Sequence, residues 1–167
     1  MCNSEISSEI LLNLFNYKDG NIYWKQWKNG RSRNLIAGTI NNKGYLKVTI
    51  DGKQMYAHRI VWIMHNGNID DGYEIDHINH NRSDNRIENL RIVTRSENAK
   101  NLSMAANNKT GFTDVFFNKK RNKYFSSVKV GNNHIFGGWH DSIESAVTSR
   151  NALWKKFGFH QNHGAEK

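Results

Sequence analysis

Apolar positions follow helical spacing at two places in the first half of the chain and alternate with polar positions between them. Residues 4–15 carry apolar side chains every three to four positions, which predicts an amphipathic helix. Residues 58–67 predict a short buried helix that ends at Gly67. Between the two helices, Asp51-Gly52 is typical of a hairpin turn. The predicted strands are NIYWKQW (21–27), GYLKVTI (44–50) and KQMYA (53–57).

The segment 74–104 changes three times between patterns typical of strand, loop and helix. YEIDHI predicts a strand, NHNRSDNRIENL a polar loop that ends at the apolar Leu90, and RIVT a second strand. Thr94 and Glu97 have the spacing of a helix capping box, which places Asn98 in the first turn of a helix. The prediction is therefore strand, loop, strand and helix, with loop side chains that brace one another or hold an ion.

The last third repeats the strand pattern and closes on a longer helix. Residues 103–110 (SMAANNKT) are small and polar, as in a linker. A helix is predicted from Asp141 or Ser142 to Phe157, ending at Gly158. The predicted fold class is α+β: mixed strands and short helices first, then a three-stranded antiparallel sheet with one helix. The three strands of that sheet are GFTDVFF (111–117), KYFSSVKV (123–130) and HIFGGWH (134–140).

Charge and composition narrow the classes of function. The chain has 24 Lys and Arg against 15 Asp and Glu, a formal net charge of +9, which favours a polyanionic partner such as nucleic acid. The lone Cys2 excludes an internal disulfide or a multi-cysteine zinc site. No apolar run approaches the ~18 residues of a membrane span. The first residues lack a secretory-signal layout, so we expect a cytoplasmic protein without membrane or small-molecule cofactor.

The loop segment offers the residue types of a metal-assisted hydrolase. If the two strands pair and the helix packs across them, Asp76, His77 and Asn98 converge. Carboxylate and carboxamide oxygens suit Mg²⁺ or Mn²⁺, and the imidazole beside them could deprotonate a water. The residues alone leave a second interpretation open, in which Asp76 is a surface carboxylate, His77 is a hydrogen-bonded histidine and Asn98 is an ordinary helix residue. His58 is expected to be structural, and His80 either exposed or a DNA contact.

The run DHINHNRSDNRIENLRIVTRSENAKN, with GYLKVTIDGKQMYAHRIVW before it, resembles the HNH endonuclease family in its phage and intron homing branch. The resemblance covers residues 36–101. It implies a ββα-metal core at about 73–102 within a domain over residues 1–102, with one divalent metal and no structural zinc. By resemblance, His77 is the general base, Asp76 and Asn98 are metal ligands, and Asn89 pins the loop and orients His77. The implied reaction is hydrolysis of double-stranded DNA to 3′-hydroxyl and 5′-phosphate ends.

The run NKTGFTDVFFNKKRNKYFSSVKVGNNHIFGGWHDSIESAVTSRNALWKKFG resembles the AP2 DNA-binding domain and implies such a domain over residues 111–160. The chain departs from that family's pattern at Asp114, Gly138 and His140. The resemblance implies that the exposed sheet face lies in the major groove of DNA. Strand alternation puts four residues of the second strand on the predicted DNA-facing side: Lys123, Phe125, Ser127 and Lys129. The candidate DNA-binding residues are Lys119, Lys120, Arg121, Lys123 and Lys129.

Two hypotheses follow from these patterns. The first is a metal-dependent, homing-type DNA endonuclease whose catalytic domain is joined to an AP2-like DNA-binding domain. The second is a non-catalytic DNA-binding protein that keeps the HNH unit as a scaffold. DNA cleavage that depends on a divalent metal separates the two.

Overall fold

The computed structural model describes residues 6–25 and 36–165. The chain divides into two compact units, Met1–Arg95 (unit 1) and Ser96–Lys167 (unit 2). The described residues form four α-helices and four small antiparallel sheets, so the predicted α+β class is confirmed at this level. The domain boundaries drawn from the sequence stay a prediction, and the division between the units falls before residue 102.

Unit 1 begins with a capped helix and a hairpin. Ser7 accepts a hydrogen bond from the backbone N–H of Ile10 and so caps the first helix. The predicted helix over 4–15 is shorter in the structure, and residues 4 and 5 lie outside the described part. Residues 26 and 27 of the predicted strand 21–27 also lie outside it. The elements are α1 (Ser8–Leu14), β1 (Phe15–Lys18), β2 (Asn21–Trp24), β3 (Thr39–Ile40), β4 (Leu46–Ile50), β5 (Lys53–Tyr56) and α2 (Ala57–Asn66).

The core of unit 1 lies where α1, the β1–β2 hairpin and α2 meet. Leu11, Ile22 and Ile60 are fully buried there, and Phe15 is nearly so. The predicted hairpin turn at Asp51-Gly52 is confirmed between β4 and β5. The predicted helix is confirmed as α2, with Gly67 at its carboxyl end at φ 84°. Burying these side chains contributes about 1.5–3 kcal/mol each to folding.

The strand–loop–strand–helix prediction is confirmed in the order of its elements. Strands β6 (Tyr73–His77) and β7 (Leu90–Thr94) form an antiparallel pair. A 3₁₀ turn over Ile87–Asn89 comes directly before β7. The helix α3 (Arg95–Asn98) has only one turn and continues as a 3₁₀ turn over Ala99–Asn101. Asn98 therefore lies in the first turn of α3, as predicted. Because α3 has only that turn, Asn98 is also its last residue.

Unit 2 is a three-stranded sheet with one long helix on it. The strands β8 (Val115–Asn118), β9 (Lys123–Val130) and β10 (Asn133–His140) pair in the order β10–β9–β8, and α4 (Ile143–Phe157) packs on all three. Ser142 caps α4, and Gly158 ends it in the left-handed conformation. The first strand begins four residues later than 111–117 predicts, because Gly111 and Asp114 have φ of 76° and 61°, outside the range of a strand.

Residues 103–110, which resemble a linker, are hydrogen-bonded within unit 2. The backbone N–H of Met104 donates to the carbonyl of Ala165, and the side chain of Asn108 accepts from the N–H groups of Thr110 and Gly111. A short polar segment can thus belong to a folded unit when its Asn side chains satisfy the backbone.

Candidate active site and nucleic-acid interface

Asp76 and His77 occupy the end of β6, and the pleat of the strand sends them to opposite faces. Asp76 lies opposite Arg91 of β7. The Arg91 guanidinium donates from Nε and Nη2 to Asp76 Oδ2, at 3.0 and 2.9 Å. The carboxylate of Asp76 is therefore fixed in place beside a positive charge.

His77 faces the interior of unit 1 and is only 4% exposed. Its Nε2 donates to Asn85 Oδ1 at 3.1 Å, and the Asn85 amide nitrogen donates to the carbonyl of Ser83. In the neutral imidazole that carries its hydrogen on Nε2, Nδ1 keeps a lone pair and can accept a proton. The ring lies edge-on to His58, with centroids 4.9 Å apart, and next to Tyr45 at 6.0 Å.

Both histidines are biased towards the neutral form. Burial lowers the pKa of His77 below its ordinary value, while the bond to Asn85 and the nearby carboxylates of Asp76 and Asp84 act in the opposite direction. Burial, together with the neighbouring His77 and Arg59, lowers the pKa of His58 to about 3. Neutral imidazole at physiological pH is the form that a general base requires.

The loop between β6 and β7 is held by buried asparagines. Asn89, only 6% exposed, accepts from the backbone N–H of Asn79 at 3.1 Å and donates from its amide to the carbonyl of Asp84 at 2.8 Å. Its backbone carbonyl accepts from the N–H of Ile78. Asn89 thus pins both ends of the loop, and the direct partner of His77 is a different residue, Asn85.

The loop also rests on the first hairpin of unit 1. The hydroxyl of Tyr17 accepts from the backbone N–H of Ile87 at 3.1 Å. Gly20, at φ 82°, lies so close to the loop that an added Cβ would be 2.8 Å from the backbone nitrogen of Arg86. This contact leaves no room for a side chain at residue 20.

Asp84 connects two parts of the loop. It accepts two hydrogen bonds from the Arg86 guanidinium, at 2.8 Å each, and one from the Asn79 amide. The Arg86 hydrogen bonds are the main reason why the pKa of Asp84 falls from 3.8 to about 2. The stabilisation by ionised Asp84 is therefore fully present above about pH 4 and lost as the pH falls towards 2.

Asp84→Asn is expected to lower the melting temperature at pH 5 and to change it much less at pH 2.5. Between these two values the Asp84 carboxyl of the unfolded chain, with its ordinary pKa of 3.8, becomes protonated, so most of the stabilisation that comes from the lowered pKa of the folded chain is lost. Thermal unfolding of both proteins between pH 5 and 2.5 measures the difference. Asp71→Asn, at an exposed carboxylate of the same unit, is the control. A difference in melting temperature between variant and wild type that stays constant with pH would contradict a stabilising role of ionised Asp84.

The donors available to a metal are few. Within residues 6–25 and 36–165, no three His, Cys, Asp or Glu side chains are grouped so as to hold a metal. Asp76 offers a carboxylate that already accepts from Arg91. Asn98, the other predicted ligand, belongs to unit 2. One carboxylate and one carboxamide suit Mg²⁺ or Mn²⁺, which keep several waters and take further oxygens from a phosphate, and do not suit zinc.

The sequence does not identify Asn85 as the partner of His77, because the loop contains several asparagines and no spacing rule separates this one from its neighbours. His58 is the histidine that the sequence predicts to be structural. It is buried, stacks on Tyr56 at 5.4 Å and lies against His77, and its Nδ1 has no hydrogen-bond partner among the described residues. The sequence indicates that His58 is buried, because it stands at the start of a helix that is itself predicted to be buried.

The basic candidates of unit 2 lie on the β8–β9 hairpin and along β9. Lys119, Lys120 and Arg121 are exposed in the turn. Lys129 is exposed on β9, and Lys123 forms an ion pair with Asp141 at 2.9 Å. Asp114 instead contacts the helix: its Oδ2 accepts from Trp154 Nε1 at 2.9 Å and lies 3.6 Å from His163.

Comparison with known proteins gives this site a family. Residues 55–100, which include Asp76, His77, Asn89 and Asn98, match the family model described as HNH endonuclease. Protein 3.8 of Escherichia phage T7 is 34% identical over 89 residues, covering 50% of this chain and 74% of that protein. The uncharacterized gene 5.3 protein of Enterobacteria phage T3 is 38% identical over 63 residues, 34% of this chain and 62% of that protein.

Two further results complete the comparison. No solved structure matches the chain. No helix within the described ranges is long and apolar enough to cross a bilayer. The chain therefore belongs to a family of phage proteins that includes protein 3.8 of phage T7, and it carries an HNH endonuclease domain over residues 55–100.

Proposed function

We propose that this protein is a metal-dependent DNA endonuclease of the homing type, associated with a phage or an intron and active in the cytoplasm of a bacterial host. It hydrolyses phosphodiester bonds of double-stranded DNA to 3′-hydroxyl and 5′-phosphate ends. One observation carries the proposal: Asp76 and His77 are consecutive residues at the end of β6, inside the segment that matches the HNH family.

In this proposal His77 is the general base. Nδ1 of the neutral ring takes the proton of the water that attacks phosphorus, while Nε2 stays bonded to Asn85. That bond is available before and after proton transfer, so the ring keeps its orientation. Asn89 is a positioning residue, because it holds the loop that carries Asn85.

Asp76 and Asn98 would hold the divalent cation, together with water and phosphate oxygens. When bound, a divalent cation supplies positive charge at the scissile phosphate. Arg91 fixes the Asp76 carboxylate in one orientation through two hydrogen bonds to Oδ2. The ordering of that carboxylate before DNA arrives is the contribution of this chain to cation binding.

Unit 2 would hold the DNA. We propose an AP2-like domain at residues 111–160, joined to the HNH domain (1–102) by residues 103–110. Lys119, Lys120 and Arg121 are exposed in the turn before β9, and Lys129 is exposed near the other end of that strand. A cluster of basic side chains on one hairpin favours contact with phosphates, which orients the domain without reading base sequence.

The direct test is cleavage of a supercoiled plasmid with Mg²⁺ or Mn²⁺ added and with EDTA in their place. We expect nicked or linear product only with the metal. Ligation and end-labelling of the product should show 3′-hydroxyl and 5′-phosphate ends. Absence of cleavage at every divalent metal concentration tested, for a folded protein that binds DNA, would overturn the proposal.

One observation favours a second function, a non-catalytic DNA-binding protein. His77 is 4% exposed and packs against His58 and Tyr45, which is an ordinary environment for a structural histidine. Salt-dependent DNA binding without cleavage is the result that this second function predicts. Catalysis instead requires that the edge of the His77 ring reach a water at the phosphate when DNA is bound.

Asp76→Ala is expected to raise the Mg²⁺ concentration needed for half-maximal cleavage by about tenfold or more, because a carboxylate ligand of the cation is lost. A metal titration of plasmid nicking measures the effect. Glu74→Ala, on the same strand and the same face but outside the predicted ligand set, is the control. An unchanged metal requirement in Asp76→Ala would contradict the ligand assignment.

A further inference from the structure

The sheet of unit 2 has one face covered by α4 and one open face. Ser126 and Val128 are buried on the covered side, and Ser149 of α4 bonds both Ser126 and the carbonyl of Gly137. The open face carries four aromatic side chains from all three strands, here called the aromatic patch: Phe116, Phe125, Phe136 and Trp139.

The rings of the aromatic patch touch one another and remain open to solvent. Phe116, Phe136 and Trp139 are 44%, 53% and 37% exposed. Phe125 is at the centre, with ring centroids 5.1 Å from Phe116 and Trp139 and 6.1 Å from Phe136. Exposed aromatic side chains that form one continuous cluster are unusual on a protein surface and mark a binding site.

A β-bulge puts the tryptophan on this face. Phe136 pairs with Ser127, but Trp139 pairs with Phe125, so the pairing shifts by one residue between them. In uninterrupted pairing, Trp139 would lie opposite Tyr124 and point to the helix side. Gly138 has φ 105°, a conformation that side chains disfavour. The backbone is therefore specialised to add Trp139 to the aromatic patch.

Positive charge borders the patch. The Arg121 guanidinium lies over the Trp139 ring, 4.8 Å from its centroid. Lys129 lies opposite His134 on β9 and β10, on the face of the patch. Lys119 and Lys120 are exposed in the turn that carries Arg121. The partner of this surface must combine negative charge with flat apolar groups.

We propose that the aromatic patch binds single-stranded nucleic acid, with unpaired bases stacked on the rings and phosphates near Arg121 and Lys129. Every base has a flat face, and stacking on aromatic side chains contributes strongly to binding of single strands. Bases in a duplex stack on each other and present only their edges, so they leave aromatic rings without a stacking partner. Four exposed rings on one face therefore favour unpaired bases over the groove of a duplex.

This inference rests on the proposed DNA binding by unit 2 and adds an unpaired stretch of strand to the duplex that is proposed as the substrate. The binding test uses the full chain with His77→Ala, in EDTA, and follows the fluorescence anisotropy of labelled oligothymidylate. A duplex of the same length is the comparison. We expect tighter binding of the single strand, and competition by unlabelled single strand before unlabelled duplex.

Trp139→Leu and Phe136→Leu, each added to that chain, keep an apolar side chain and remove the ring. We expect each to weaken single-strand binding about tenfold, and duplex binding much less. Phe117→Leu is the matched control, because Phe117 is 43% exposed on β8 but faces the helix side. Thermal unfolding verifies that the variants fold.

Three outcomes would overturn the inference. In the first, the affinity for the single strand is unchanged by both substitutions. In the second, the chain binds the duplex more tightly than the single strand, and the substitutions weaken that duplex binding. In the third, sedimentation shows a dimer that Trp139→Leu dissociates. Plasmid cleavage by the wild-type chain is measured in parallel. If the wild-type chain cleaves the plasmid and the ring substitutions do not weaken single-strand binding, this inference alone is rejected. If the chain neither cleaves nor binds DNA, the proposed function is rejected as well.

Discussion

His77→Ala should slow metal-dependent plasmid nicking by about 100- to 10,000-fold, the range that loss of a general base typically costs. The variant removes the one ring nitrogen that the proposed mechanism uses to accept a proton. It leaves Asp76, Arg91 and their two hydrogen bonds in place. DNA binding should therefore change little while the rate of the chemical step falls.

The control for His77→Ala must separate lost chemistry from a damaged fold, because the ring is buried and its removal leaves a cavity. His65→Ala tests an exposed histidine at the end of α2 and should cleave at the wild-type rate. Unfolding curves of both variants show how far the cavity destabilises unit 1. A folded His77→Ala protein that nicks DNA as fast as the wild type would contradict the general-base assignment.

Asn89→Ala should lower the free energy of unfolding of unit 1 by about 3 kcal/mol, because it removes two hydrogen bonds of a buried side chain and leaves two partly buried backbone groups without a partner. Those partners are the backbone N–H of Asn79 and the carbonyl of Asp84. Urea unfolding measures the change. Cleavage should fall as well, since the loop also carries Asn85.

Asn81 provides the matched control for Asn89. It lies in the same loop and also accepts hydrogen bonds through its side chain, from the backbone and hydroxyl of Ser83, but it is exposed. Water can replace those bonds, so Asn81→Ala should cost less than about 1 kcal/mol. Equal destabilisation by the two substitutions would show that burial of Asn89 does not hold the loop.

Local patterns predicted the order of elements around the site correctly. Alternation defined β6 and β7, and Gly67 and Gly158 marked the ends of α2 and α4 because helices commonly end at glycine. Glycine and Asp114 in left-handed conformations shortened the first strand of unit 2, since backbone conformation at such positions is decided by the surrounding contacts.

The partners within the site could not be predicted in the same way. The loop contains several asparagines, and only the folded chain brings Asn85 to His77 and leaves Asn81 at the surface. The contact between His58 and His77 joins residues of α2 and β6, which no periodicity relates. The aromatic patch depends on a one-residue shift at Gly138, and the alternation of β10 counted without it places Trp139 on the wrong face.

The close contact of Gly20 with Arg86 limits how the nuclease motif can be moved between proteins. Residues 55–100 leave out the hairpin that supports the loop, and also Leu11, Phe15 and Ile22, which complete the core around Ile60. A peptide cut to the family segment would expose that core to water. Grafting of the loop between β6 and β7 into another scaffold therefore requires α1 and the β1–β2 hairpin as well.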